Sequence, residues 1–153
     1  MATFAGIDYS TKAVDIVLLD EDSGAAKWEH YPLSISATAF DRTRSVRERV
    51  PTRGWWDDSS VLAVGIEEPR GHNSGALYRI QGAILATIPA ELLVQPLVPS
   101  EWRKLVGLPG NASKDDVRQF THGYVLWEST DACDAYCIAL AVSKLVQQEE
   151  VAV

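Results

Sequence analysis

The stretch "TFAGIDYSTKAVDIVLLDEDSGAAKWEHYPL", residues 3–33, decides the fold. "TFAGID" (3–8) is apolar up to a terminal carboxylate and reads as a buried strand. The polar turn "YSTK" leads into "AVDIVLLD" (13–20), a second strand. "EDSG" (21–24) is a turn, and "AAKWEHYPL" (25–33) alternates well enough for a third. Three strands joined by tight polar turns make an antiparallel meander.

Downstream the periodicity changes. "SATAFDRTRSVRERV" (36–50) opens on a Ser cap and carries Phe40, Val46 and Val50 at helical spacing. "PTRGWWDDSS" (51–60) is a loop, and "VLAVGIEEP" (61–69) a buried strand that again ends in carboxylates. "NSGALYRIQGAILATI" (73–88) is helical through Leu77, Ile80, Ile84 and Ile88; "LLVQPLV" (92–98) is a short strand. Pro99 and Ser100 open the short helix "EWRKLVG", and "LPGNA" (108–112) is a loop. "SKDDVRQFTHGYVLW" (113–127) starts like a capping box, with Asp116 three residues after Ser113. Thr130 caps the last helix, "TDACDAYCIALAVSKLV" (130–146). A meander followed by alternating elements predicts an α/β fold: a mixed five-stranded sheet, antiparallel then parallel, flanked by helices. The length of 153 residues suits a single domain, 1–153.

Composition excludes several classes. Hydrophobic residues are 46% and charged residues 23%, ordinary values for a globular protein. No apolar run approaches the ~20 residues of a membrane span. "MATFAGIDYS" lacks a basic stretch followed by an apolar one, so no secretory signal is expected and the cytoplasm is the default location. Cys133 and Cys137 lie one helical turn apart and read as small core residues; His30, His72 and His122 are scattered, without zinc-ligand spacing. The formal net charge of −7 argues mildly against nucleic acid. The distribution matters more: Arg42, Arg44, Arg47, Arg49 and Arg53 cluster, and acids gathered around bound cations weaken the outward field.

Four acids stand out by position. Asp8 ends the first strand; Glu67, or its neighbour Glu68, ends the fourth; Asp131 and Asp134 occupy the first turns of the last helix. Asp20, Glu21, Asp22, Asp57 and Asp58 read instead as solvated turn residues. Asp131 and Asp134, three apart, share a helix face, where like charges repel unless something positive stands between them. Either each strand emerges into water at its acid, or the acids converge on a cation. Oxygen ligands without Cys or His suit Mg²⁺ or Mn²⁺. Two such ions ~3.5–4 Å apart support phosphodiester hydrolysis.

Three segments together, "GIDYSTKAVDIVLLD", "VGIEEP" and "TDACDAYCIALA", resemble the RuvC family of Holliday junction resolvases, within the RNase H-like nuclease superfamily. "SGALYRIQGAI" (74–84) and "PSEWRKLVGLPGNASKDDV" (99–117) resemble further segments of that family, in order and over nearly the whole chain. The compact chain also resembles phage-encoded members, which puts the location in a bacterial or an infected host's cytoplasm. The resemblance implies an RNase H-like fold, a homodimer and metal-dependent symmetric nicking of four-way DNA junctions. It implies Asp8, Glu67, Asp131 and Asp134 as catalytic ligands of two Mg²⁺ ions (Mn²⁺ substituting), with Lys114 on the scissile-strand backbone. Junction-cleaving members often carry an aromatic just past the second acid; here Arg70 or His72 stands in that place. Lys12 and Arg79 are further candidate DNA contacts. The helix of residues 74–88, rich in small residues, is a candidate subunit interface with Ile84 as a test position. Trp55 and Trp56 stack on bases, cover the core or sit in a dimer interface. The Arg-rich segment either contacts DNA or is a solvated face with pairs such as Asp41–Arg44. Two functions from different classes stay open: a branched-DNA endonuclease, of strict four-way or broader flap and fork selectivity, and a non-catalytic RNase H-like DNA-binding protein.

Overall fold

The structure, a computed structural model, describes residues 2–33, 38–50, 56, 60–71 and 74–152. Trp55, Arg53 and His72, singled out above, lie outside the described residues. Within them the strands are β1 (Thr3–Tyr9), β2 (Ala13–Asp20), β3 (Ala26–Pro32), β4 (Val61–Glu67) and β5 (Leu93–Leu97). The helices are α1 (Ala39–Arg49), α2 (Gly75–Leu85), α3 (Pro99–Leu105), α4 (Lys114–Thr121) and α5 (Thr130–Val151). The sheet order is β3-β2-β1-β4-β5. β1–β2 and β2–β3 pair antiparallel, and β1–β4 and β4–β5 parallel. The expected mixed sheet is therefore present, with β1 at its centre.

Local chemistry sets the elements. In the β2–β3 turn, Asp20 accepts the backbone N–H groups of Asp22 and Ser23, and Gly24 takes φ 72°, a conformation that suits glycine. The Ser113–Asp116 capping box forms in both directions, at 3.1 and 2.9 Å. Other boundaries differ from expectation. Helix α4 ends at Thr121 rather than continuing to residue 127, because Gly123 follows and costs a helix about 1 kcal/mol. Ser129, not Thr130, caps α5: its hydroxyl accepts the Ala132 N–H at 3.2 Å. Thr38 caps α1, and the Thr38 hydroxyl also donates to Asp41, which sits in the cap instead of pairing with Arg44 as expected.

Strand alternation divides the core into two layers. Ala5, Ile7, Val14, Ile16, Val64 and Ile66 pack against Val46, Val50, Ile80 and Ile84 of α1 and α2. Ile84 is fully buried there, so it is a core residue and not the exposed interface position expected of it. Trp56 is also buried in this layer, which selects the core reading for that tryptophan. On the opposite face, α5 packs across β1, β2 and β4, with α3 and α4 covering its outer side. Cys133 and Cys137 are buried in that layer as free thiols. Among the described residues no helix is long and apolar enough to cross a membrane.

The close seating of α5 depends on two glycines. A Cβ on Gly6 would stand 2.0 Å from the Ala135 carbonyl oxygen and 2.4 Å from the Ala139 nitrogen. A Cβ on Gly65 would meet Ile138 Cγ2 at 2.8 Å. The first obstacle is helix backbone and cannot rotate away. We expect Gly6→Ala to cost about 2–3 kcal/mol, lowering Tm by roughly 5–10 °C. Gly65→Ala, which meets a methyl group first, should cost less. Thermal melts of the two variants check the order; a Gly6→Ala melt equal to wild type would contradict this packing.

Candidate active site

Alternation fixes which acids meet. Phe4, Gly6 and Asp8 of β1, and Ala63, Gly65 and Glu67 of β4, all point to the α5 side. Asp8 and Glu67 therefore face the start of α5, where Asp131 and Asp134 sit. Glu68 points the other way and accepts from Gln81 Nε2 of α2 at 3.1 Å. The end of β4 is pinned from that side too, since Tyr9 Oη donates to the Glu67 carbonyl at 2.9 Å. On the site side, the fully buried Trp102 of α3 donates its indole N–H to Glu67 Oε2 at 3.1 Å.

Burial and like charge dominate the electrostatics. Asp8 is held well above the usual carboxylate range, first by burial, then by the charges of Glu67, Asp134 and Asp131. Burial also raises Glu67, against the Trp102 hydrogen bond that lowers it. Asp134 is raised by burial, against the Lys114 ammonium that lowers it. Lys114 Nζ lies 2.5 Å from Asp134 Oδ2 and 3.9 Å from Asp131 Oδ1. The positive group between the two helix carboxylates is thus this lysine. Burial alone would lower the Lys114 pKa, but the Asp134 hydrogen bond and the surrounding acids raise it overall.

One ammonium does not satisfy four carboxylates. Asp134 is 3% exposed, and its Oδ1 is buried with no hydrogen-bond partner among the described residues. A buried, bare carboxylate oxygen amid an all-oxygen donor set fits a hard divalent cation. Asp8, Glu67, Asp131 and Asp134 are the residues that could hold one.

The other candidates are placed unevenly. Lys12, in the β1–β2 turn, and Arg70, just past Glu67, are exposed beyond the strand ends that carry Asp8 and Glu67. Arg79 is exposed on α2, a helix of the opposite layer, and is not brought to the acids. Sequence reasoning missed three residues. Trp102 anchors Glu67. Arg103 lies with its guanidinium 5.1 Å from the Trp102 ring centroid, and its charge lowers both Glu67 and Asp134. Asp15, the third residue of β2, is 1% exposed, and one of its carboxylate oxygens lies within 4.8 Å of oxygens of Asp8 and Asp131. Only the Asp15 signal was visible beforehand, as an acid inside an otherwise apolar strand.

Sheet order, mixed pairing and the helix layer over β1 define an RNase H-like α/β fold with carboxylates gathered under its last helix. No protein-family model and no curated protein matches the sequence. The particular fold is that of RuvC. The chain superposes on Thermus thermophilus RuvC with TM-score 0.74 at 21% identity, covering 96% of each chain. It also superposes on T. thermophilus RuvC in complex with a Holliday junction substrate, with TM-score 0.77 at 18% identity, covering 97% of this chain and 96% of that one.

Because the raised carboxyls hold protons to a higher pH in the folded chain than in the unfolded one, their contribution to metal-free stability falls as pH rises above about 4. Asp8→Asn removes the most crowded of these charges while keeping the shape. In metal-free buffer the variant should melt above wild type at pH 8, by roughly 3 °C or more, and the gap should shrink toward pH 4. Calorimetry at the two pH values checks this; a variant that melts below wild type at pH 8 would contradict the electrostatic account.

Proposed function

We propose that the chain is a divalent-metal-dependent, structure-selective endodeoxyribonuclease that resolves four-way DNA junctions by paired symmetric nicks. The observation that supports this reading is a buried, unpartnered Asp134 Oδ1 in a cluster where Glu67, Asp134 and Asp131 lie near enough to raise the Asp8 carboxyl. The oxygen donor set suits Mg²⁺, with Mn²⁺ as a substitute. Two such ions held at these oxygens would supply an activated water and charge stabilisation at the leaving oxygen of a phosphodiester.

The chain's own residues divide the remaining work. Asp8, on the central strand, lies between the β4 and α5 acids and would be an oxygen donor to a cation held there. Trp102 orients Glu67, and α5 presents Asp131 and Asp134 at its N-terminus, where the helix dipole favours negative charge. Lys114 holds the site's positive charge in the metal-free chain, and with a divalent cation bound its half-exposed ammonium would be available to a backbone phosphate. Lys12 and Arg70 extend positive charge along the same end of the sheet.

Four-way junctions are the favoured substrate because the fold is shared with a RuvC solved on such DNA. Two symmetric nicks need two sites, which a twofold dimer supplies. Tyr78 and Leu85 lie seven residues apart on α2, 46% and 39% exposed, and give the dimer an apolar stripe in place of the buried Ile84. A broader flap or fork nuclease is the second reading, favoured by the exposed Arg70 where an aromatic would open base pairs.

Labelled four-way junction, flap, fork and linear duplex, each incubated with Mg²⁺, separate these readings. We expect paired nicks in the four-way junction, and no cleavage of any substrate in EDTA. Asp8→Asn, Asp134→Asn and Glu67→Gln should each lose at least ~100-fold in rate, the scale seen when one group stabilising transition-state charge is removed, while junction binding persists. Glu68→Gln should cut normally. Substantial residual nicking by Asp134→Asn would remove that residue from the site. Wild type should sediment as a dimer, and Leu85→Asp as a folded monomer that loses paired nicking before single nicking; a monomeric wild type would shift weight to the flap and fork reading.

A further inference from the structure

We propose that Asp15 is a fifth carboxylate of this centre, a ligand, directly or through one water, to the cation that Asp8 and Asp131 share. The inference rests on the metal-dependent reading above and adds to it a residue from the neighbouring strand β2.

Asp15 occupies an unfavourable place for a residue without a task. It interrupts an apolar strand, faces the α5 layer alongside Val17 and Leu19, and is 1% exposed. Burying a carboxylate costs several kcal/mol unless hydrogen bonds or a counter-charge compensate. Two donors from the edge strand β3 supply part of that compensation. Trp28 Nε1 donates to Asp15 Oδ1 at 2.9 Å, and His30 Nδ1 lies 2.8 Å from the same oxygen. Both converge on Oδ1, and this fixes the plane of the carboxyl group.

The strand register then sets the carboxyl beside Asp8. Asp8 and Asp15 are direct cross-strand partners. Like charges in that relation repel. Oxygens of Asp8, Asp15 and Asp131 nevertheless lie within 4.8 Å of one another, a spacing that a hard cation with oxygen ligands closes with little movement. An independent sign of a missing positive group is Asp134 Oδ1, buried and unpartnered one turn beyond Asp131. Lys114 pairs with Asp134 and Asp131, and among the described residues its ammonium forms no ion pair with Asp8 or Asp15.

The alternative is that Asp15 only fastens β3 to the sheet through Trp28 and His30. Mn²⁺ binding distinguishes the two without relying on cleavage. Free Mn²⁺ is followed by electron paramagnetic resonance while wild type and Asp15→Asn are titrated at neutral pH, with melts recorded for both. The proposal expects two bound ions in wild type and a loss of about 10-fold or more in the affinity of one of them in Asp15→Asn. Two ions bound by both proteins with equal affinity would overturn the role of Asp15 and leave the nuclease reading standing. A wild type that binds no Mn²⁺ at millimolar concentration would overturn both. Should Asp15→Asn fail to fold, anomalous scattering from a wild-type crystal soaked in Mn²⁺ decides: a peak with an Asp15 oxygen within ~2.5 Å, or joined by one water, supports the ligand. Peaks at Asp8 and Glu67 with Asp15 bonded only to Trp28 and His30 would exclude it.

Discussion

The backbone of α5 rests on the backbone of β1 at Gly6, with no space between them for a methyl group. Everything at the site depends on that contact. Two side chains ordinarily separate a helix from a sheet; here the separation is reduced to glycine on one side and alanines 135 and 139 on the other. The short distance brings the first turns of α5 down to the ends of β1 and β4, so Asp131 and Asp134 reach Asp8 and Glu67. Gly65 repeats the arrangement one strand over. The small residues of "DACDAYCIALA" are thus a packing requirement imposed by the charged site at the end of the same helix.

The site so assembled is electrostatically overloaded in one direction. Burial and mutual repulsion hold three carboxyls above their ordinary range, and Lys114 offsets part of the charge from α4. Trp102 and Arg103 add a donor and a cation from α3. The protein consequently keeps its fold at the cost of crowded charge, trading some stability for like charges held close together. That trade is expected wherever function needs like charges close together.

Much of the fold was legible because its signals are local. Asp8 and Glu67 end apolar strands, and strand ends are where alternation and turn chemistry coincide. The choice between Glu67 and Glu68 was not settled by alternation, which gives two faces but not their neighbours. Gln81, bonded to Glu68, and Trp102, bonded to Glu67, supply what one strand's pattern lacks. Asp15 went unweighed for a similar reason: its meaning lies in Asp8 across the strand and in Trp28 and His30 beyond it, and none of these is near in sequence. Ile84 shows the reverse error, because a helical stripe of small and apolar residues does not say whether the sheet or a second chain covers it. The end of α4 was misplaced by letting apolar spacing override Gly123.

The sheet order has a consequence in time. β1 is central, yet its neighbours β2 and β4 come from different parts of the chain, and the helix that covers it, α5, is the last element in order. Contacts between the first strand and the last helix are the most non-local in the molecule, and such contacts form late and slowly. On a translating ribosome the meander and β4 emerge while Asp8 and Glu67 still lack Asp131 and Asp134. The carboxylate cluster closes only when α5 docks on Gly6, so a nascent or truncated chain carries Asp8 and Glu67 without the two acids that α5 brings to them.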